Sequence, residues 1–216
     1  MKIENLTVSY GKTKVFENLN IAFNDGEITC ILGRSGVGKT TLLKYIAGLG
    51  SVKPSEKTPC SMVFQEPRLV PNLTVKENLL FAGCSELDIE KGLEFSNLKG
   101  KENMRPNSLS GGEKQRVNFL RAVLNKAPVV LLDEPFSSLD LSTKIPLINS
   151  FVKMLKQAKK TAILVTHDVE EALASADRIL VLDGGKITLD ISLKSAPPRA
   201  YGKACVEREI ILDKIL

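Results

Sequence analysis

The chain has 216 residues, of which 43% are hydrophobic and 25% charged, a composition that indicates a globular protein and excludes extensive disorder. No stretch approaches the roughly 20 consecutive apolar residues that cross a bilayer, and the first residues lack the apolar core of a secretion signal. The net charge is +5, with one local lysine cluster (Lys153, Lys156, Lys159, Lys160) and only 5% aromatic residues, which favours a solvated helix face over a nucleic-acid partner.

In the first half of the chain the sequence predicts four strands and two helices. The strands are expected within IENLTVSY, LNIAF, EITCIL and CSMVF, and the first helix within KTTLLKYIAGL, which a glycine-rich loop precedes and a glycine ends. Thr74 and Glu77 have the spacing of a capping box, in which each side chain bonds the other residue's backbone. The second helix is therefore expected to begin there, and a polar segment with weak helical character follows from about 83 to 108.

In the second half, buried strands alternate with helices. Helices are expected in GGEKQRVNFLRAVLNK, in a segment with Ile145, Ile148, Val152 and Leu155 at helical spacing, and from Asp168 onward. Strands are expected in VVLLD and TAILVT, followed by a hairpin in RILVLDGGKITLD. This order predicts an α/β fold with a mainly parallel sheet covered on both faces. In such sheets ligands bind beyond the carboxyl ends of the strands.

A phosphate-binding loop is the first functional motif. The segment GRSGVGKT matches GxxxxGK[ST] between a buried strand and a helix, which is the context that the motif requires. Its residues are Gly33, Arg34, Ser35, Gly36, Val37, Gly38, Lys39 and Thr40, followed by Thr41. The glycines let backbone amides curl around phosphate oxygens, and the helix N-terminus adds positive potential. Lys39 then supplies a charge to the terminal phosphates and Thr40 a hydroxyl to Mg²⁺.

Three further side chains follow buried strands. Asp133 ends the strand VVLLD, where a carboxylate holds Mg²⁺ directly or through water. The adjacent Glu134 is free of metal in this interpretation and is placed to orient and polarise an attacking water. His167, the single histidine, follows TAILVT directly and can reach a γ-phosphate from there. Four widely separated cysteines without a CxxC pair argue against a zinc site and suit a reducing cytosol.

The segment LSGGEKQ at 109–115 allows two interpretations. Ser110 and Glu113 have the spacing of another capping box, so the segment is compatible with a simple helix start. Two consecutive glycines, Gly111 and Gly112, cost about 1 kcal/mol each inside a helix. They are expected where the backbone must approach a ligand, such as a phosphate, closely.

In their order along the chain, these motifs resemble those of the ATP-binding cassette (ABC) ATPases over about residues 3–190. LSGGEKQRV resembles the family's signature and GRSGVGKT its phosphate loop. The resemblance implies a P-loop NTPase core with an antiparallel β subdomain and a small helical subdomain, and ATP and Mg²⁺ as cofactors. The site residues that it implies are the adenine-contacting Tyr10 and Val15, the magnesium ligands Thr40, Gln65 and Asp133, the catalytic Glu134, His167 and Gln65, the signature residues Ser110, Gly111 and Gly112, and Asp140 in the interface loop SSLD.

The resemblance further implies a mechanism and partners. Two cassettes pack head to tail, each ATP lies between the phosphate loop of one chain and Ser110 and Gly112 of the other, and hydrolysis lets the dimer open. The implied partners are membrane-spanning permease subunits and a second ABC ATPase chain, a homodimer or a pair with a related chain. The implied location is cytoplasmic, at the membrane face.

The ATPase domain is expected to span residues 1–190, with the helical subdomain at about 66–110 and a short tail at 191–216. The intervals from Gly48 to Gln65 and from Gln65 to Leu109 are shorter than is usual in the family. Catalysis is therefore better supported than permease docking.

The leading hypothesis is the ATPase motor of a transporter, and of an importer rather than an exporter. FQEPRLVPNLTVKENLLFAG resembles the ATPases of the nitrate, sulfonate and taurine uptake group. One alternative is a soluble ABC ATPase without transport, although such proteins usually carry two cassettes, a coiled-coil insertion or a zinc module. Another is a P-loop kinase or nucleotide-binding regulator, which would not need LSGGEKQ.

Overall fold

The structure is a computed structural model that describes residues 1–11, 13–50, 52–54, 57–203 and 205–215. Within these ranges the chain forms two β-sheets, seven α-helices and a short 3-10 helix at Pro106–Ser108. The strands are β1 (Lys2–Tyr10), β2 (Thr13–Ala22), β3 (Ile28–Leu32), β4 (Cys60–Val63), β5 (Val129–Asp133), β6 (Thr161–Thr166), β7 (Arg178–Asp183) and β8 (Lys186–Ser192). The helices are α1 (Lys39–Ile46), α2 (Val75–Phe81), α3 (Glu86–Phe95), α4 (Gly111–Leu124), α5 (Leu141–Gln157), α6 (Val169–Ser175) and α7 (Val206–Ile215).

The larger sheet has the strand order β4-β5-β6-β3-β7-β8. The first five strands in this order pair in parallel, and β8 is antiparallel to β7. All residues of β3 and β6 are buried, which explains why these segments are continuous apolar runs rather than alternating ones. The predicted α/β fold with a mainly parallel sheet is confirmed.

Each face of this sheet packs into its own apolar core. Successive residues of a strand point to opposite faces, so Cys30 and Leu32 of β3 enter one core and Ile31 enters the other. The first core also contains apolar residues of α2 to α6, and the second contains residues of α1 and of the β1–β2 pair. Because both faces are covered, the carboxyl edge of the sheet is where polar side chains can face a ligand.

The predicted antiparallel β subdomain is confirmed as the β1–β2 hairpin. Strand β2 starts at Thr13, well before the predicted segment LNIAF, because it pairs with β1 from the turn onward, with Tyr10 opposite Thr13. Phe16 and Val8 face each other across the pair and are both buried. The hairpin thus covers one side of the sheet beside the phosphate loop.

The small helical subdomain consists of α2, α3 and the 3-10 helix. The capping box at the start of α2 is confirmed: the backbone N–H of Glu77 donates to the Thr74 hydroxyl, and the backbone N–H of Thr74 donates to the Glu77 carboxylate. The segment predicted to be only weakly helical contains the ten-residue α3. Ile89 and Leu93 of α3 are buried in the larger core, so tertiary packing decides this helix.

The chain beyond residue 190 is continuous with the sheet and packs on it. Strand β8 crosses the predicted domain end and continues to Ser192, which pairs with Arg178 of β7. Arg199 donates to the carbonyl oxygens of Leu173 and Ala176, and Ile211 of α7 is fully buried. The division at 190/191 stays a prediction. No helix among the described residues is long and apolar enough to cross a membrane.

The interpretation of the lysine cluster as a solvated face is wrong for two of its members. Lys156 donates to Asp177 Oδ2 at 2.5 Å, and Lys160 donates to the carbonyl oxygens of Asn125 and Ala127 at 2.7 and 2.6 Å. Burial lowers the pKa of Lys160. The hydrogen bonds of these two side chains therefore connect α5 and the residues after it to neighbouring loops.

Candidate active site

The phosphate loop connects β3 to α1 and encloses a buried ammonium group. Lys39 is 5% exposed, and its Nζ donates to the carbonyl oxygens of Gly33 and Arg34 at 2.7 and 3.0 Å. Burial lowers the pKa of Lys39, an effect that the nearby carboxylates of Glu134 and Asp133 oppose. A pocket of 190 Å³ lies here, lined by Ser35, Gly36, Gly38, Lys39, Thr40, Thr41 and Glu134.

Gly38 is required by its backbone conformation and its surroundings. Its φ is +111°, and a Cβ atom there would lie 2.7 Å from Val15 Cγ1 and 2.9 Å from Phe16 Cζ. Val15 therefore lies against the phosphate loop, and its contact with adenine stays a prediction. Tyr10 is 51% exposed at the end of β1, and neither Tyr10 nor Val15 lines the pocket itself.

Asp133 and Thr40 face each other at the carboxyl end of β5. The Thr40 hydroxyl donates to Asp133 Oδ1 at 2.9 Å. Burial raises the pKa of Asp133, and the hydrogen bond from Thr40 partly offsets this. A hydroxyl and a carboxylate are oxygen donors of the kind that Mg²⁺ prefers. The pair therefore fits a magnesium ion next to the phosphate pocket.

Glu134 has an unusual backbone conformation, and a side-chain nitrogen lies near each oxygen of its carboxylate. Its φ is +45°, in the left-handed region that costs a non-glycine residue about 1–3 kcal/mol. Its backbone N–H donates to Val165 O at 3.0 Å, and its carbonyl oxygen accepts from the Ser137 hydroxyl. The carboxylate lies between His167 Nδ1, 3.2 Å from Oε2, and Lys39 Nζ, 3.8 Å from Oε1. The strained turn thus aims this carboxylate into the pocket.

Other predicted site residues lie outside the pocket. Gln65 is exposed in the loop after β4. Ser110 is the N-cap of α4 and forms the predicted capping box with Glu113. Asp140 is the N-cap of α5, where bonds from the Ser142 hydroxyl and the Thr143 backbone lower its pKa to about 2. None of these residues lines the phosphate pocket of the same chain.

The packing of this chain constrains the two glycines differently. A Cβ atom at Gly111 would find no heavy atom within 4 Å, and one at Gly112 would meet only Thr143 Cγ2 at 3.1 Å. Gly111 also has no left-handed φ. Within the described residues the chain therefore has room for a side chain at position 111.

A buried polar network behind His167 was missed from the sequence. Lys144 of α5 donates to Glu171 Oε1 at 2.6 Å and to Asp168 Oδ2 at 3.3 Å. Glu171 Oε2 accepts from Thr166, and the Tyr201 hydroxyl donates to Asp168. Burial is the largest single influence and lowers the pKa of Lys144, but the hydrogen bonds and charges of Glu171 and Asp168 together outweigh it, so the pKa is raised. Lys144 lies one turn before Ile148 on the predicted apolar face of α5, and a charge on that face was the available signal.

This fold and this pocket define a P-loop NTPase with residues suited to a nucleotide's phosphates and a magnesium ion. The pattern of the family described as "ABC transporter" matches residues 16–137. The chain belongs to this family, as the ordered motifs implied. Its members bind ATP with Mg²⁺ and hydrolyse it, and this chain is such an ATPase.

Three similar proteins extend the comparison. The aliphatic sulfonates import ATP-binding protein SsuB 1 of Agrobacterium fabrum (strain C58) is 38% identical over 92% of this chain and 76% of its own length. The spermidine/putrescine import ATP-binding protein PotA of Haemophilus ducreyi is 37% identical over 88% of this chain and 57% of its own. Among solved structures, the dimeric bacterial ABC transporter cassette MJ0796 superposes with a TM-score of 0.74 at 29% identity, covering 90% of this chain and 99% of that one.

Proposed function

We propose that this chain is the ATPase motor of an importer and that two cassettes close head to tail around ATP. The observation that carries the proposal is the separation of the phosphate pocket from Ser110–Gly112. Gly111 has open space around it and an ordinary φ, so its own chain does not require a glycine. The N-terminus of α4 is exposed and offers backbone N–H groups to an anion. A phosphate held by a second chain accounts for the glycine at position 111.

The residues of one pocket divide the work of hydrolysis. Lys39 and the loop backbone bind the phosphates, while Thr40 and Asp133, joined by Gln65, hold Mg²⁺. Bound ATP supplies a terminal phosphoanhydride bond. Glu134 orients a water towards it, and His167 holds the Glu134 carboxylate in place.

The rest of the proposed site comes from the β1–β2 hairpin of the same chain and from the second chain. Tyr10 and Val15 contact the adenine of the nucleotide that their own phosphate loop holds. Ser110 and Gly112 of the second chain cap the terminal phosphate, and Asp140 lies in the loop that crosses the interface. A site shared in this way makes hydrolysis depend on closure of the dimer.

The permease is proposed to dock on the helical subdomain, which places the protein at the cytoplasmic face of a membrane. Phe81 at the end of α2 is 77% exposed, and Leu87 at the start of α3 is 63% exposed. Leu87 lines a groove with three carboxylates and one ammonium group, those of Glu86, Glu90, Glu102 and Lys76, of which Lys76 pairs with Glu86 at 3.1 Å. Cytoplasmic loops of membrane proteins are rich in Lys and Arg, which suits this acidic groove. The shortened subdomain thus still offers an apolar and acidic surface.

The direction of transport is proposed from two relatives that are both named import proteins. One is named for sulfonates, which are anions, and the other for polyamines, which are cations, at nearly equal identity to this chain. We therefore infer that other subunits select the cargo. The segment FQEPRLVPNLTVKENLLFAG supports the nitrate, sulfonate and taurine group. Family membership speaks against the kinase alternative, and nothing favours the non-transport alternative.

Size-exclusion chromatography of Glu134→Gln tests the dimer. The variant is expected to elute as a dimer with ATP and as a monomer with ADP. A second variant, Glu134→Gln with Ser110→Arg, is the control: it should bind ATP through its own phosphate loop but stay monomeric. A monomer of Glu134→Gln in both nucleotides would contradict the proposal.

A further inference from the structure

Gln115, the last residue of LSGGEKQ, joins α4, whose N-cap is Ser110, to the turn that carries Glu134. It lies on α4, is 3% exposed, and its Nε2 donates to the carbonyl oxygen of Pro135 at 2.6 Å. Pro135 directly follows Glu134 in the chain. One buried amide therefore bridges two parts of the proposed machinery that are distant in sequence.

The Glu134 turn is held from two sides. On one side, β6 accepts the Glu134 N–H through Val165 O, immediately before Thr166 and His167. On the other side, α4 contributes the Gln115 bond and, one helical turn later, Phe119, whose ring meets that of Phe136 edge-on at 5.5 Å. A left-handed φ at Glu134 persists only where the surroundings hold it. Gln115 thus provides a polar contact between α4 and this turn.

The environment of the Gln115 amide oxygen, Oε1, indicates that the N–H donor is the important part of this side chain. The Oε1 atom is buried and has no hydrogen-bond partner within the described residues. An unpaired buried oxygen is unfavourable, and a leucine of similar size would avoid it. Leucine, however, would leave the Pro135 carbonyl without its donor. The position therefore keeps an amide with an unpaired oxygen because that amide donates the bond to the turn.

We propose that Gln115 is a positioning residue for hydrolysis: it fixes the Glu134 turn so that the carboxylate faces the attacking water, and it links that turn to Ser110 on the same helix. In the head-to-tail dimer, on which this second part rests, Ser110 contacts the ATP of the partner. Gln115 then connects the nucleotide state of one site to the carboxylate of the other.

Two substitutions separate positioning from packing. Gln115→Leu removes the donor and is expected to lower kcat at least about tenfold while KM for ATP changes by less than about threefold. Gln115→Glu can donate to the Pro135 carbonyl only when its carboxyl is protonated, and burial raises the pKa of such a group. The kcat of this variant, relative to wild type, is therefore expected to rise as the pH falls from about 8 to about 6.

Asn118→Leu is the matched control, because Asn118 is equally buried on the same helix and its amide bonds Arg121 rather than the turn. It should perturb packing but leave kcat within about twofold. The proposal is overturned if Gln115→Leu keeps wild-type kcat, if Asn118→Leu loses as much, or if Gln115→Glu shows no recovery at low pH. The last comparison uses one folded protein at two pH values, so it stands even if the leucine variant fails to fold.

The proposed coupling between the two ATP sites of the dimer is tested by the cooperativity of hydrolysis. Wild-type hydrolysis is expected to be cooperative in ATP, and Gln115→Glu at high pH should lower the Hill coefficient towards one. An unchanged Hill coefficient overturns the link but leaves the positioning role standing. Failure of the dimer itself is seen separately, as a monomeric Glu134→Gln with ATP.

Discussion

His167 Nδ1 lies 3.2 Å from Glu134 Oε2, while Lys39 Nζ lies 3.8 Å from the other oxygen of the same carboxylate. One side chain thus connects the end of β6 with the phosphate loop. The backbone of Glu134 is in a left-handed conformation, and these two contacts hold its carboxylate towards the pocket. This arrangement leads to the first prediction.

Removing either member of the Glu134–His167 pair is expected to stop hydrolysis and preserve binding. Glu134→Gln should lower kcat by at least about 100-fold and His167→Ala by a similar order, with the Kd for ATP within about threefold of wild type. The double variant should be no slower than Glu134→Gln alone, because the two residues act as a unit. Steady-state rates and ATP titrations of the four proteins measure this, and additive losses would show independent roles.

Gly111→Ala separates stability from dimer formation. Since the new methyl group meets nothing within 4 Å, we expect the free energy of unfolding to stay unchanged or rise by roughly 0.5–1 kcal/mol. ATP-dependent dimerisation should nevertheless weaken, because the methyl group is added between Ser110 and Gly112, the two residues proposed to cap the partner's phosphate. Gly38→Ala is the contrasting variant and should weaken ATP binding itself. Destabilisation of the isolated chain by Gly111→Ala would mean that the glycine serves its own fold.

The two capping boxes offer a matched pair. Ser110→Arg and Thr74→Arg each remove the hydroxyl that caps a helix, so each should cost about 1 kcal/mol of stability. Only Ser110→Arg is expected to abolish ATP hydrolysis, because only that residue is proposed to contact a second chain's nucleotide. Urea unfolding and ATPase assays on both variants measure the two effects. Equal loss of activity in both would point to helix stability as the cause.

Lys144 tests the buried network behind His167. Lys144→Met leaves the carboxylate of Glu171, which is 1% exposed, without its cation and should lower the free energy of unfolding by about 3–5 kcal/mol. Replacing Glu171 by methionine as well should restore most of this loss. Lys14→Met breaks the exposed pair with Glu17 and should change stability by less than about 1 kcal/mol. Similar effects for Lys144 and Lys14 in urea titrations would contradict the prediction.

Asp140 predicts a pH dependence at the start of α5. Its folded-state pKa of about 2 lies below the ordinary value of 3.8, so its charged cap stabilises the fold above about pH 4. This contribution is lost as the pH falls towards 2. The difference in unfolding free energy between wild type and Asp140→Asn should therefore shrink over that range. A difference that stays constant from pH 6 to about pH 3 in urea titrations would show that the charge is not involved.

The sequence by itself determined the catalytic half of the site. Its motifs can be recognised from neighbouring residues alone: GRSGVGKT, the aspartate that ends an apolar run, and the histidine that follows another apolar run. The loop needs glycines beside a helix start, and the carboxyl ends of parallel strands meet at one edge. The structure accordingly places Lys39, Thr40, Asp133, Glu134 and His167 together. The local capping boxes at Thr74 and Ser110 were also predictable, because they depend on residues three apart.

Only the tertiary structure decided the features that rest on distant contacts. Strand β2 lengthens because β1 pairs with it, α3 forms because its apolar side packs in the core, and β8 passes residue 190 because β7 continues beside it. The bond from Gln115 to Pro135 and the ion pair of Lys144 with Glu171 join residues that sequence spacing does not relate. The local sequence determines which side chains follow a strand or begin a helix. Tertiary packing determines which of these side chains come into contact. The physical reason is that burying a charged or amide group is costly unless it has a hydrogen-bond or ion-pair partner.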